Sequence, residues 1–328
     1  MRRVPEWVGA VLRALVGLVV VVWGAATLAF IAVRLVPGDP VDTMLGIHAQ
    51  VSEQVKDQIR ADLGLDRSPL EQYLSFLGQL VTGDLGRSYQ LNQPVTAVIG
   101  QQLPATMQLT TAAMVLAVVL ALTSVLLARG HVARSIASTL ELVAVSAPTY
   151  WTGLLLLTVF GFGLGWVPVL ATSSPAALVL PALTLALPIG AILAQVLREG
   201  VQDALGQPFV QTAIARGVAP GRLLGRHALR HGAVGGVAIG GYLVGSLLGG
   251  AVLVETVFAR PGLGRVALRA ILDRDMPVVL GLVVLSACSH AGIVNVLHHA
   301  RASFPDVPLR AILGGLHLSG QNEAVIPQ

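Results

Sequence analysis

Leu15-Val-Gly-Leu-Val-Val-Val-Val-Trp-Gly-Ala-Ala-Thr-Leu-Ala-Phe-Ile-Ala-Val33 runs without a charged residue. A helix rises about 1.5 Å per residue, so about 20 mostly apolar residues cross the hydrocarbon core of a bilayer. A cleavable secretory leader has a shorter apolar region of about 7–15 residues. Gly24-Ala-Ala26 supplies small residues of the kind a leader peptidase cuts, but the length of the run predicts an uncleaved first span. The helix is expected to begin near Trp7, with Arg13 reaching back to the interface.

Four further stretches have the same character: Ala105–Ala128, Ile136–Gly161, Leu178–Leu197 and Ala233–Val254. Each is uncharged at its centre, and none alternates as a barrel strand must. Pro148 is expected to kink the third, because proline removes a helix hydrogen bond and clashes with the preceding turn. The fifth is rich in glycine (Gly240, Gly241, Gly245, Gly249, Gly250), which lets backbones approach closely in lipid. A sixth is expected to start near Pro277, but Val278–Ala287 covers only half a bilayer before Ser289, His290 and Asn295. The fold class is therefore an all-α membrane protein, a polytopic helical bundle with five clear spans and a damaged sixth.

Composition agrees. Of 328 residues, 54% are hydrophobic and only 12% charged, against roughly 25% charged in soluble domains. The net charge of +4 rests on arginine, since Lys56 is the only lysine. A basic chain can bind nucleic acid. Here the arginines flank apolar spans, which points to membrane orientation and to no nucleic-acid partner. The single Cys288 excludes an internal disulfide and a CxxC metal site.

The loops orient the bundle. Arg2 and Arg3, the link Arg129–Arg134 and the segment Arg198–His231 share one side if the spans alternate, and their positive charge makes that side cytoplasmic. The uncharged Gly163–Ala177 link and the long segment 34–103 fall outside. The latter is too long for a connector and is expected to be partly helical, for example over Ser52–Leu63. The outer link Thr256–Met276 departs from the rule, with Arg260, Arg265, Arg269 and Arg274 partly offset by Asp273 and Asp275.

On the cytoplasmic side, residues 199–231 predict a short helix over Phe209–Arg216, stopped by Gly217, and a second basic helix over Arg222–Arg230 begun by Pro220. Such a hairpin suits either a groove on another protein or an anionic lipid surface, and the residues alone favour neither.

Specific motifs lie along the same stretch. Gln211-Thr-Ala-Ile-Ala-Arg-Gly217, followed by Arg226-His-Ala-Leu-Arg230, resembles the coupling motif of ABC-importer permeases, most closely the dipeptide/oligopeptide/nickel group. Val36-Pro-Gly-Asp-Pro40, Leu63-Gly-Leu-Asp66, Gly83-Asp-Leu-Gly-Arg-Ser88, and Gly249-Gly-Ala-Val-Leu-Val-Glu-Thr-Val-Phe258 leading into Pro261-Gly-Leu-Gly264 agree in order and spacing. The resemblance covers about residues 8–280. It implies a six-span subunit of a bacterial cytoplasmic membrane with its N-terminus inside. It also implies a second permease subunit, cytoplasmic ABC ATPase subunits and an extracytoplasmic substrate-binding protein as partners, beside membrane lipid. The residues matched to ATPase coupling are Gln211, Thr212, Ala213, Gly217, Arg226 and Arg230. Glu255, Pro261 and Gly262 are gate candidates, although Glu255 and Glu199 also read as ordinary interfacial carboxylates.

Past residue 280 the pattern changes. Leu285-Ser-Ala-Cys-Ser-His-Ala-Gly-Ile-Val-Asn295, Phe304-Pro-Asp306 and Gly314-Gly-Leu-His-Leu-Ser-Gly320 resemble the end of a metallo-β-lactamase-fold hydrolase, whose matching metal ligands would be His290 and His317. A zinc site needs at least three protein ligands, and His48, His131, His227 and His231 are scattered. The tail 281–328 is therefore expected to bind no metal and to pack poorly after about Leu285. The alternatives to a permease are an inert permease–hydrolase fusion or a metal-dependent hydrolase.

No GxxxxGK[ST] loop is present, so ATP hydrolysis belongs to a partner and no cofactor is expected. Ser146 and Ser246 lack a neighbouring His–Asp pair, so no serine nucleophile and no enzyme activity are expected.

Overall fold

The structure is a computed structural model that describes residues 6–35, 39–45, 52–62, 64–128, 130–168 and 174–285. Thirteen helices make up the described chain: α1 Glu6–Leu35, α2 Pro40–Leu45, α3 Glu53–Asp62, α4 Pro69–Thr82, α5 Val95–Leu127, α6 His131–Ser146, α7 Thr149–Leu156, α8 Val179–Leu205, α9 Pro208–Ala215, α10 Pro220–Arg222, α11 Leu229–Val257, α12 Leu263–Leu272 and α13 Met276–Leu285. No strand occurs among the described residues. Four helical stretches are long and apolar enough to cross a membrane: Leu15–Ala32, Val95–Leu127, Pro175–Leu205 and Pro220–Val257.

The third expected span differs. It is not one kinked helix but two, α6 and α7, bent by 105° at a break before Pro148. α7 then widens into a π turn over Leu157–Gly163. Proline denies the chain a backbone donor at the start of α7, and Ala147 is extended, as a residue before proline prefers.

α8 is the axis of the bundle. It packs most extensively on α5 and α11, then on α6. On α5 the fully buried stripe Leu109, Ala113, Ala117 and Ala121 recurs every four residues and faces it. A Cβ at Gly190 of α8 would lie 3.0 Å from the Ala117 carbonyl oxygen. Towards the C-terminal end of α8, α8 and α11 touch backbone to backbone. A Cβ at Gly200 would meet the Gly232 Cα at 2.8 Å, and one at Gly232 would meet the Val201 nitrogen at 2.7 Å. In lipid there is no hydrophobic drive between helices, so close dispersion contact of this kind holds them together.

α8 also extends past the expected end of the fourth span to Leu205, which puts Arg198 inside the helix. Its guanidinium grips Glu141 of α6 at 2.6 and 2.8 Å and donates to Ser124 and Ser138 at 3.0 Å. Glu141 is buried. A buried charge is tolerable only when paired and hydrogen-bonded, and this one is both.

Between α1 and α5 the described residues include the helices α2, α3 and α4. The expected helix over Ser52–Leu63 is α3. Asp39 closes the first turn of α2 through the Val41 amide at 2.9 Å and binds Arg60 of α3. Burial pushes the Asp39 carboxyl up, but Arg60 and the Val41 amide outweigh this and hold it below its usual value. α4 begins at a capping box, with Ser68 and Glu71 each bonding the other's amide. It is tied to α1 by the rings of Phe30 and Tyr73, whose centroids are 5.3 Å apart, and by the Thr27–Tyr73 hydroxyl pair at 2.7 Å.

α13 forms the start of the expected sixth span. The change of pattern placed at Gly281 does not interrupt the helix, which runs to Leu285. Leu282 joins Val95, Ile99, Leu263, Ala270 and Val278 in a core between α5, α12 and α13. The poor packing expected after Leu285 and the histidines His290 and His317 lie outside the described residues.

The α8–α11 crossing generates a test. Replacing Gly232 by valine should destabilise the protein by about 3 kcal/mol or more, since overpacking against backbone has nowhere to relax. Replacing Gly235, whose Cβ would meet only the Val196 Cγ1 at 3.5 Å, should be nearly neutral. Thermal unfolding in detergent would distinguish the two.

Candidate functional site

Two places gather the residues singled out from the sequence. The first is the hairpin between α8 and α11. α9 is short because Gly217 ends it: φ is +73°, a left-handed value that glycine takes without a Cβ penalty. The Gly217 amide bonds the Ile214 carbonyl at 2.9 Å, and the Val218 amide bonds the Ala213 carbonyl at 3.1 Å. This paired closure is a Schellman motif, and it satisfies carbonyls that the helix end leaves unmatched.

Pro220 then starts α10, as expected. The second basic helix over Arg222–Arg230 is not a separate element, however. A π turn over Leu223–Ala228 joins α10 to α11, so one continuous helix runs from Pro220 to Val257. The Leu229 amide reaches back five residues to the Leu224 carbonyl.

The base of the hairpin is closed by the Gly200–Gly232 contact and by Phe209 stacked on His231 at 4.8 Å between centroids. Val210 is buried beneath α9. Gln211, Thr212, Gly217, Arg226 and Arg230 are exposed, and Ala213 is half-buried. Ile214, 60% exposed, adds an apolar tip to the same short helix. The structure therefore brings the six coupling candidates onto one braced hairpin with a basic flank.

The second place is the turn between α11 and α12. Glu255 is fully buried at the end of α11. Its carboxylate accepts from the Thr106 hydroxyl of α5 at 2.6 Å and from the Gly264 and Arg265 amides at 2.8 and 3.3 Å. The Thr106 oxygen in turn accepts from the Leu263 amide at 2.8 Å. Those three amides are the unsatisfied donors of the first turn of α12, and an anion there also meets the positive end of the helix dipole.

Pro261-Gly-Leu-Gly264 wraps this carboxylate. A Cβ at Gly262 would lie 2.1 Å from it, and one at Gly264 would lie 2.3 Å from the Val252 Cα. Glu255 and Gly262 thus meet directly, and Pro261 is exposed beside them.

Sequence reasoning missed two buried carboxylates. Glu141 has been described above. Asp275 is buried where the link between α12 and α13 meets the Gly83–Ser88 motif: it accepts from the Ser88 hydroxyl and from the Tyr89 and Gln90 amides at 3.1 and 3.2 Å. Burial, with Asp275 nearby, pushes the Tyr89 phenol up to about 12. The signal for Asp275 was its pairing with a Gly–Asp–Leu–Gly–Arg–Ser stretch about 190 residues earlier, which no local periodicity reveals. Among the described residues no group of three His, Cys, Asp or Glu side chains could hold a metal.

Replacing Glu255 by alanine should cost about 3 kcal/mol, as three donors to a charged acceptor lose their partner in a buried place. Glutamine keeps one acceptor oxygen and should cost less. Thermal unfolding of the two variants beside Thr106→Val would show whether the three groups act as one unit; strictly additive losses would count against it.

Comparison with known proteins gives the family. The family profile described as binding-protein-dependent transport system inner membrane component matches residues 122–301, and its N-terminal companion matches residues 8–110. The first match runs past residue 280, and nothing supports the hydrolase resemblance of the tail. The glutathione transport system permease protein GsiC of Escherichia coli strain CFT073 is 33% identical over 278 residues, covering 84% of this chain and 90% of its own. The di/tripeptide transport system permease protein DppB of Pseudomonas aeruginosa is 33% identical over 296 residues, covering 81% and 88%. A crystal structure of an amino acid ABC transporter with histidines aligns at 19% identity and a TM-score of 0.47 over 63% of this chain and 94% of its own. On the family profile and the two permeases, the chain belongs to the binding-protein-dependent transport system inner membrane components.

Proposed function

We propose that the chain is the permease subunit of an ABC importer for peptides or similar solutes, with its N-terminus in the cytoplasm and residues 199–231 docked on a separate ATPase subunit. The observation that carries this reading is the braced hairpin. A short helix with exposed Gln211, Thr212 and Ile214 stands on a base clamped at Gly200–Gly232. Movement of a partner against such a tip passes into α8 and α11 as rigid displacement rather than being absorbed in a loop. Arg198, Arg216, Arg222, Arg226 and Arg230 on this side support its assignment to the cytoplasm.

Family membership supports the partner classes: ATPase subunits, a substrate-binding protein and a second permease subunit. The peptide substrate is supported by the names of the glutathione and di/tripeptide relatives. Glu255, Pro261 and Gly262 are proposed as the outer gate, because Glu255 joins α5, α11 and α12 so that they move together. We place the end of the permease body beyond α13, since the family match continues to residue 301.

Gly217→Val should leave ATP hydrolysis by the reconstituted complex running while uptake falls, because a β-branched residue at positive φ breaks the turn. A Cβ at Gly217 meets nothing within 4 Å, so the effect comes through the backbone. Gly217→Asn tolerates the left-handed turn and should keep coupling. Transport by Gly217→Val at the wild-type rate would refute the docking assignment.

Uptake assays with the cognate binding protein should show transport of labelled glutathione or dipeptide. Transport of nickel alone would remove the peptide assignment.

A further inference from the structure

A cavity of about 430 Å³ lies on the outer side, where α1, α3 and α4 meet the Gly83–Ser88 motif and α13. That volume is in the range of small-molecule sites. Its walls are rich in donors and poor in acceptors. Arg34, Arg60, Arg67 and Tyr89 line it, and Asp39 is the only carboxylate among the lining residues.

Asp39 is already engaged by Arg60 and the Val41 amide. Among the described residues Arg34 bonds the neutral Gln72 side chain and lies over the Phe30 ring at 5.4 Å. Gln72 in turn donates to the Arg67 carbonyl at 2.8 Å, which fixes the Arg67 turn beside Arg34. Neither Arg34 nor Arg67 forms an ion pair among the described residues, although Glu71 lies close enough to Arg67 to feel its charge. The Tyr89 hydroxyl has no hydrogen-bond partner among the described residues. Phe30 and Phe76, stacked at 6.1 Å, supply an apolar wall.

Two guanidinium groups that form no ion pair among the described residues, beside a phenol and an aromatic wall, call for a ligand with acceptors at one end. We propose that this cavity is a binding site for an oxyanion carried on an apolar body, held by Arg34 and Arg67 with the body against Phe30 and Phe76. Guanidinium suits carboxylate and phosphate because its N–H groups form a planar fork. Two sources have this chemistry: the C-terminal carboxylate of a short peptide and the headgroup phosphate of a phospholipid. The proposal goes beyond the transport role, because binding here is read directly and holds or fails whether or not the complex moves solute.

The test uses the full permease complex in nanodiscs. Binding of trialanine is compared with trialanine amide by calorimetry in phosphatidylcholine, and retention of phosphatidylglycerol is measured by native mass spectrometry. Binding of the free acid with loss in the amide identifies a solute carboxylate. Retained phosphatidylglycerol identifies a headgroup. In either case Arg67→Gln, an exposed position that should fold normally, is expected to weaken binding about tenfold, and Tyr89→Phe by less. Arg87→Gln, an outer-loop arginine that does not line the cavity, should change nothing. Binding of neither probe, or binding unaffected by Arg67→Gln and Arg34→Gln, would overturn the proposal.

Discussion

Everything else in this bundle depends on how closely α8 approaches α5 and α11. The contacts are backbone against backbone: Gly190 on Ala117, and Gly200 on Gly232. Apolar side chains are as well solvated by lipid as by one another, so leucine-rich faces alone would not select a packing. Small residues let many atoms reach van der Waals distance at once, and they leave one arrangement of the three helices without clash. The exposed apolar residues of α1, such as Leu12, Val19 and Leu28, need no partner within the chain for the same reason.

Onto this close-packed frame the protein adds a few buried carboxylates, each satisfied by donors from distant parts of the chain. Glu141 ties α6 to α8 and α5, Glu255 ties α11 to α5 and α12, and Asp275 ties the link between α12 and α13 to the Gly83–Ser88 motif. Dispersion contact is non-directional, whereas a buried carboxylate with three or four fixed donors tolerates little sliding. The three groups therefore fix register where the small residues only permit approach. Each would be costly if broken, since the freed charge would sit in a dry site.

The apolar spans were legible because a bilayer imposes a length that sequence displays directly. Leu15–Val33 and Ala105–Ala128 fall within α1 and almost wholly within α5. The left-handed stop at Gly217 and the start at Pro220 were legible for a local reason, since each follows from what one residue's backbone can do. What escaped was non-local or depended on the degree of a local effect. Pro148 signalled a disturbance, but a kink and a 105° break share one sequence. Arg198 read as the first residue of a loop because it is charged. Its partner, Glu141, stands 57 residues earlier, where no local reading of α8 finds it. Glu255 read either as a gate candidate or as an ordinary interfacial group, and its burial escaped for the same reason: its donors come from Thr106 and from the turn that follows it.

The two π turns have different surroundings, and the difference bears on where the bundle can yield. The one over Leu157–Gly163 ends α7, where Phe162 and Leu164 are exposed. The one over Leu223–Ala228 lies inside a continuous helix, immediately between the exposed hairpin and the Gly200–Gly232 clamp. A π turn substitutes i→i+5 bonds for i→i+4 and carries an extra residue without breaking the helix. It is thus a point where the winding of the helix can change while its axis stays continuous. Within it, Leu223 and Ala228 are buried; beyond it, Gly232 and Gly236 are packed against α8. If the hairpin docks on a partner as proposed, a push on it meets this turn before the Gly200–Gly232 contact, and what passes that contact is displacement of α8 and α11 together.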